Sequence, residues 1–473
     1  RAELLVAGEG PAVTATGEPE SPTLALRDLM IAKPKLRGAE REAADRLLAR
    51  PTDGIVDPGG DGYPAGSVVK SGCTGGICVH YVDKAQNPTI GATPAWASQT
   101  AQIAKNAYGF LVNSRGYRPA PSDGTRGGNA NLDIYLTDLA SQGLYGYCAP
   151  EQYVAGSDYR ATSYCVLDND YVEFLPVTPV NALRVTAVHE IFHAIQFGYD
   201  LFEDAWLYEA TATWMEEVWA PDVNDNRQYL GDGQLARPLV PLDAFDDASG
   251  NSYGNWLFFE YLEERFGANV VRAVWEKASA TGSVGHHSMF ALRTVLSGLR
   301  DAAGRPTDLG KEYAGFAGAN QIPASFYDDG AAYTATPVNA AYAMTNSTTP
   351  IARRFTVPQQ TSYTVRFQPA FSAASQRYRL RLRFSTPAAA TTPGAFVVVE
   401  YANGTVARGA IGLQAGTTTQ YVAFQPGQVR NVYVSFVNAS SRFVCGQDTV
   451  RACAGTPVDN SVGYYVDALA QRY

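Results

Sequence analysis

Of the five histidines in 473 residues, two stand four apart in the run Val188–Tyr199, VHEIFHAIQFGY. That spacing constrains the fold more than any other feature of the chain. On an α-helix, residues i and i+4 leave from one side, so His189 and His193 can grip a single metal ion. Val185, Val188, Ile191, Phe192 and Ile195 surround the pair with apolar surface. A helix of this kind must be buried, and its polar side chains must then find partners inside the protein. The pattern predicts a core helix over Val180–Phe197, with a second element bringing the remaining ligand. The competing reading is two hydrogen-bonded polar residues on an ordinary core helix.

Glu190 lies about 100° around the helix from His189, beside the ion rather than on it. From there it can take a proton from a metal-activated water. Zinc suits two imidazoles and a carboxylate, lowers the pKa of a water it binds to about 7, and polarises a carbonyl. A catalytic zinc takes three protein ligands and keeps one position open. The next helical run, Ala205–Val218, offers Glu209 within WLYEATATW, sixteen residues after His193. That length allows a turn and an antiparallel return, and the small Ala210 and Ala212 permit close helix approach. Glu216 and Glu217 are the competing ligands. Otherwise Glu216, two turns along the same side, suits a partner for a histidine N–H, a role that Thr213 could also fill.

HExxH followed by Glu on the next helix resembles the gluzincin clan of zinc metallopeptidases. More narrowly, HEIFHAIQFGYD with WLYEATATWMEE resembles hyicolysin-type peptidases and secreted metalloproteases of the myxobacterial type. The likeness extends through VHYVD (Val79–Asp83), LDIYLTDL (Leu132–Leu139), YGYC (Tyr145–Cys148) and SYGNWLFFEYLEERFG (Ser252–Gly267). Leu24 to Gly54 resembles the pro-segments of that group. The resemblance covers residues 24 to about 330 and implies His189, His193 and Glu209 as zinc ligands and Glu190 as catalytic base. One departure is Ala210, where these families often carry glycine after the ligand glutamate. Gluzincins also add a Tyr or His that stabilises the oxyanion; Tyr253 and the pair His286 and His287 are the candidates.

Six cysteines fall into three local couples, Cys73 with Cys78, Cys148 with Cys165, and Cys445 with Cys453. None has the spacing of a zinc knuckle, so the couples are expected to be disulfides and the protein to be secreted. The formal charge of −9 argues against a nucleic-acid partner. No apolar run is long enough to span a bilayer.

Residues 1–50 are expected to form an N-terminal arm or pro-segment, and 51–75 a turn-rich linker in which Asp57 and Asp61 could ligate Ca2+. Over 76–333 strands come first and helices follow, which suggests an α+β peptidase domain. The strands Ile77–Val82 and Leu132–Thr137 alternate as half-buried strands do. Over 334–473, seven short runs rich in Val, Tyr, Phe and Thr, among them Tyr378–Phe384 and Asn431–Val437, favour an all-β sandwich. After residue 334 the chain holds twelve arginines and four acids, a balance of +8 that leaves −17 for the rest. Arg377, Arg379, Arg381 and Arg383 alternate with Tyr378, Leu380, Leu382 and Phe384, so four cations share one sheet face. That face is either solvated, with arginines stacked on tyrosines, or it docks on an anionic surface, including this chain's own acidic domain.

The expected function is hydrolysis of a protein or peptide substrate by a zinc metalloendopeptidase. The alternative is a non-catalytic adhesin or polymer-binding protein with a structural metal site.

Overall fold

In the computed structural model, which describes residues 21–54, 60–174, 176–245, 250–279, 287–372, 376–385, 387–413 and 416–473, the chain divides into two units. One comprises residues 1–227, 246–250 and 275–286; the other comprises 228–245, 251–274 and 287–473.

The first unit is mixed α and β. In chain order it contains α1 (Pro22–Ala32), α2 (Gly38–Leu47), β1 (Val69–Thr74), β2 (Ile77–Val82), α3 (Pro94–Gly109), β3 (Leu132–Thr137), β4 (Gly146–Tyr153), β5 (Ala161–Asp168), α4 (Pro179–Tyr199) and α5 (Ala205–Trp219). The strands form one sheet in the order β1-β2-β3-β5-β4. The inner pairs β2–β3 and β3–β5 are parallel, whereas β1 and β4 run antiparallel to their neighbours. Helix α3 packs on β2, α4 on β4 and β5, and α1 on β4.

The expectation of half-buried strands needs correction here. Strand β3 is buried throughout and β2 leaves only Tyr81 partly exposed. Parallel strands are covered on both faces, so the polar residues of the alternation lie inside and must be paired. They are: His80 Nε2 stands 2.8 Å from Asp133 Oδ1, and the His80 ring stacks on Tyr135.

Two disulfides clamp this sheet at facing positions, Cys73–Cys78 across the β1–β2 hairpin and Cys148–Cys165 across β4 and β5. The third, Cys445–Cys453, lies in the second unit beside the short pair Phe443–Val444 and Thr456–Pro457.

The second unit is β-rich, with two sheets around one apolar core. Strands β6 (Ala340–Met344), β7 (Ile351–Val357), β8 (Thr361–Pro369), β9 (Tyr378–Ser385), β10 (Pro393–Tyr401), β11 (Val406–Ala410), β12 (Thr417–Ala423), β13 (Val429–Asn438), β14 (Phe443–Val444), β15 (Thr456–Pro457) and β16 (Val462–Arg472) follow in order. The sheets run β11-β10-β13-β8-β6 and β12-β9-β16-β7. Phe384 and Tyr464 from one sheet meet Phe436 from the other in the shared core.

This unit also takes in helices from before residue 334, among them Leu309–Ala319, which lies on β10 and β13. Two glycine contacts, one to backbone and one to an aromatic ring, explain the attachment. A Cβ on Gly394 would stand 1.9 Å from the Gly310 carbonyl oxygen, and one on Gly318 would stand 2.5 Å from Phe396. Only glycine lets helix and strand approach this closely.

The arginine face of β9 lies on the outside of its sheet. The Arg379 guanidinium stacks 3.9 Å over Tyr421, Arg354 lies 5.0 Å over Tyr465, and Arg381 pairs with Asp467 at 2.7 Å. Arg383 is exposed. No helix among the described residues is long and apolar enough to cross a membrane.

Candidate metal centre

Helix α4 begins at Pro179, after Thr178, whose side chain accepts a hydrogen bond from Asn181 N. Proline at the first helical position and a threonine cap fix where the helix starts. From Val185 to Tyr199 every residue is buried, so both histidines are carried into the interior. Helix α5 packs against α4 and brings Glu209, itself wholly buried.

The three side chains converge. Glu209 Oε2 stands 3.3 Å from His189 Nε2 and 3.6 Å from His193 Nε2. Two donors at about 2.0–2.2 Å from one tetrahedral ion would be about 3.4 Å apart, so the spacing fits a shared cation. A second observation agrees. Neither Glu209 carboxylate oxygen has a hydrogen-bond partner among the described residues. A buried carboxylate without donors is strongly disfavoured unless a cation compensates it.

The far nitrogens hold the rings in place. With Nε2 turned to the cluster, Nδ1 of His189 donates to Glu216 Oε1 at 2.7 Å, and Nδ1 of His193 donates to Gln196 Oε1 at 2.6 Å. Gln196 Nε2 in turn donates to Tyr208 O and Thr211 Oγ1. Thr213 makes no such contact, and its buried hydroxyl has no hydrogen-bond partner among the described residues.

The charges respond to this crowding. Burial opposes the charged form of His189, but the Glu209 and Glu216 carboxylates outweigh it and raise its pKa well above the ordinary value. For Glu209, burial is overcome by His193 and His189, which hold its carboxyl well below the usual range. Burial pushes Glu216 up to about 7 against the opposing pull of His189. Glu190 is also raised, chiefly by burial, with both histidines pulling the other way.

Glu190 has a partner that the motif did not suggest. Thr23 Oγ1, from the N-terminal helix α1, donates to Glu190 Oε2 at 3.2 Å. On the other side of the residue, the disulfide atom Cys148 Sγ lies 2.9 Å from the Glu190 carbonyl oxygen. Gln196 was not anticipated either, although its place three residues after His193 on the same helix face is a signal that could have found it. Thr23, 167 residues away, offered no such signal.

Other clusters of ligand-type residues are already engaged. Those containing Cys78 with His80 and Asp133, and His287 with Cys445 and Cys453, use sulfurs that are tied up in disulfides. Asp168, near Asp170 and Glu173, accepts backbone N–H groups from Leu139, Ala140, Asp170 and Tyr171. Of the linker residues proposed for calcium, Asp61 is buried and accepts a hydrogen bond from the Tyr147 hydroxyl, while Asp57 lies outside the described residues.

Of the residues expected to stabilise an oxyanion, Tyr253 and His287 belong to the second unit. Tyr253 sits in the helical turn Asn251–Gly254 of the second unit, its ring 5.2 Å from that of Tyr229. His287 precedes the helix Ser288–Ser297 in that unit, its ring 5.6 Å from Phe443. His286 lies outside the described residues.

No protein-family model matches the chain, and no curated protein matches it significantly. Among solved structures, it is weakly similar to a family GH115 4-O-methyl-alpha-glucuronidase with specificity for decorated arabinogalactans. The identity is 8%, the alignment covers 75% of this chain and 54% of that one, and the TM-score is 0.13. The chain thus spans about half the length of that protein, and a likeness so slight carries no argument about fold or chemistry.

Proposed function

We propose that the chain is a secreted zinc-dependent metalloendopeptidase of the gluzincin kind, with His189, His193 and Glu209 as ligands and Glu190 as general base. The observation that carries the reading is the donorless Glu209 carboxylate set against two imidazole Nε2 atoms. Zinc, when bound, would supply Lewis acidity, polarising the scissile carbonyl and acidifying a water. The remaining work falls to the chain. Glu190 takes a proton from the attacking water as the new C–O bond forms. It then delivers that proton to the amine nitrogen as the peptide C–N bond breaks. Glu216 and Gln196 keep both rings oriented. Three disulfides support export from a reducing cytoplasm.

The test is metal analysis together with a casein-cleavage assay that a chelator abolishes and added zinc restores. In that assay Glu190→Gln should keep its zinc and lose turnover by at least about a hundredfold, within the range for general base catalysis. Unchanged activity would remove Glu190 from the mechanism. Tyr253, His286 and His287 are the oxyanion donors to test by substitution in the same assay.

A second reading, an adhesin or polymer-binding protein with a structural metal, draws on the basic and aromatic face of β9, where Arg383 is exposed beside the stacked Arg379 and Tyr421. It predicts retention on an anionic polysaccharide, weakened by salt and by Arg383→Glu, and no cleavage of casein.

A further inference from the structure

The N-terminal segment reaches the site that the motif helix builds. Helix α1 starts from Ser21, whose Oγ accepts Leu24 N at 3.2 Å, with Pro22 at the first helical position. This cap fixes the backbone at Thr23, the next residue. The Thr23 hydroxyl is buried and makes two hydrogen bonds: it accepts from Cys148 N at 3.0 Å and donates to Glu190 Oε2 at 3.2 Å. A hydroxyl held by a strand N–H has its own proton left to give, and that proton goes to the carboxylate. One turn on, Arg27 Nη1 donates to Glu203 O at 3.0 Å, and its guanidinium lies 5.1 Å over the ring of Tyr208, the neighbour of Glu209.

The far end of the segment is anchored as firmly. Arg50 is 1% exposed and forks onto Glu151 and Asp133 at 2.6 Å, with Asp123 also in contact. Tyr164, on β5, donates its hydroxyl to Ala49 O at 2.7 Å. Were the segment to leave, three buried carboxylates would lose Arg50, and only Glu151 would keep a second guanidinium, that of Arg126 at 3.4 Å.

We propose that Thr23 is a positioning residue for Glu190, and that Ser21–Gly54 is a permanent part of the site rather than a removable pro-segment. Thr23 ties down Oε2 and leaves Oε1 of the same carboxylate to carry the proton during hydrolysis. The catalytic half of this inference rests on the metallopeptidase reading; the anchoring half does not.

The experiment uses the full chain loaded with zinc and has two arms. In the first, a protease site placed at the exposed Asp53–Gly54 turn is cut, so that the fragment carries both Thr23 and Arg50, and the product is passed through native gel filtration. The fragment ending there should co-elute with the remainder and separate only in denaturant. A fragment that leaves, with the remaining chain keeping its melting transition and gaining activity, would overturn the proposal in favour of latency. In the second arm, Thr23→Val should lower kcat at least tenfold with KM and zinc affinity changed less than twofold, and Thr23→Ser should restore most of it. If the wild type cleaves casein and Thr23→Val cleaves it equally well, only the role of Thr23 falls. If the wild type binds zinc yet cleaves nothing, the hydrolase reading falls and takes that role with it.

Discussion

Replacing Arg50 with methionine should destabilise the first unit more than any surface change in the segment that carries it. The guanidinium faces three carboxylates, from Asp123, Asp133 and Glu151, whose side chains are 4%, 0% and 1% exposed. Methionine roughly fills the space but brings no donors and no charge, so the carboxylates would be left buried against one another. Removing one partner of a buried ion pair costs about 3–5 kcal/mol. With a urea dependence on the order of 2–3 kcal/mol per molar for a unit of this size, the midpoint should fall by about 1–2.5 M. The fluorescence of Trp206, Trp214 and Trp275, all buried within this unit, reports the transition. A midpoint within about 0.3 M of wild type at neutral pH would show that the network contributes nothing net and would refute the reasoning.

Two further outcomes follow from the geometry. Gln196→Ala removes the acceptor that fixes the His193 ring, so zinc affinity in a chelator competition should fall about 10–100-fold while the fold survives. Asp200, buried at the end of α4, has its pKa raised from 3.8 to about 6, chiefly by burial, with Asp204 adding to the effect. Its folded pKa exceeds the unfolded one, so the native state favours the protonated form. The stability it lends is present below about pH 4 and is lost as pH rises through 6. Asp200→Asn keeps the acceptor for Phe202 N. The variant should therefore melt higher than wild type at pH 8, by up to about 3 kcal/mol in stability, and match it at pH 4.

Much of the local structure was legible because it follows from short-range periodicity. The helix expected over Val180–Phe197 is found at Pro179–Tyr199, and that over Ala205–Val218 at Ala205–Trp219. Strand runs such as Tyr378–Phe384 and Asn431–Val437 fall within Tyr378–Ser385 and Val429–Asn438. The elements that escaped notice carry weak patterns. Val69–Thr74 is a mostly exposed edge, and Val406–Ala410 holds three glycine or alanine residues against a single valine. Gly146–Tyr153 was hidden by a central proline at position 150, where the pairing with β5 is irregular.

The sequence by itself determined that two imidazoles and a carboxylate would lie on neighbouring helices, since helical geometry places i and i+4 together wherever the helix forms. It also pointed to the three disulfide couples, because the partners in each are near neighbours along the chain, 5, 17 and 8 residues apart. What only the tertiary structure decided is which distant groups surround those ligands: Thr23 on Glu190, Arg50 among three carboxylates, and polar β2 and β3 residues turned inward and paired. Such contacts join residues up to 167 positions apart, and no repeat in the chain encodes them. They arise because a buried polar group must be satisfied by whatever the packing brings within reach.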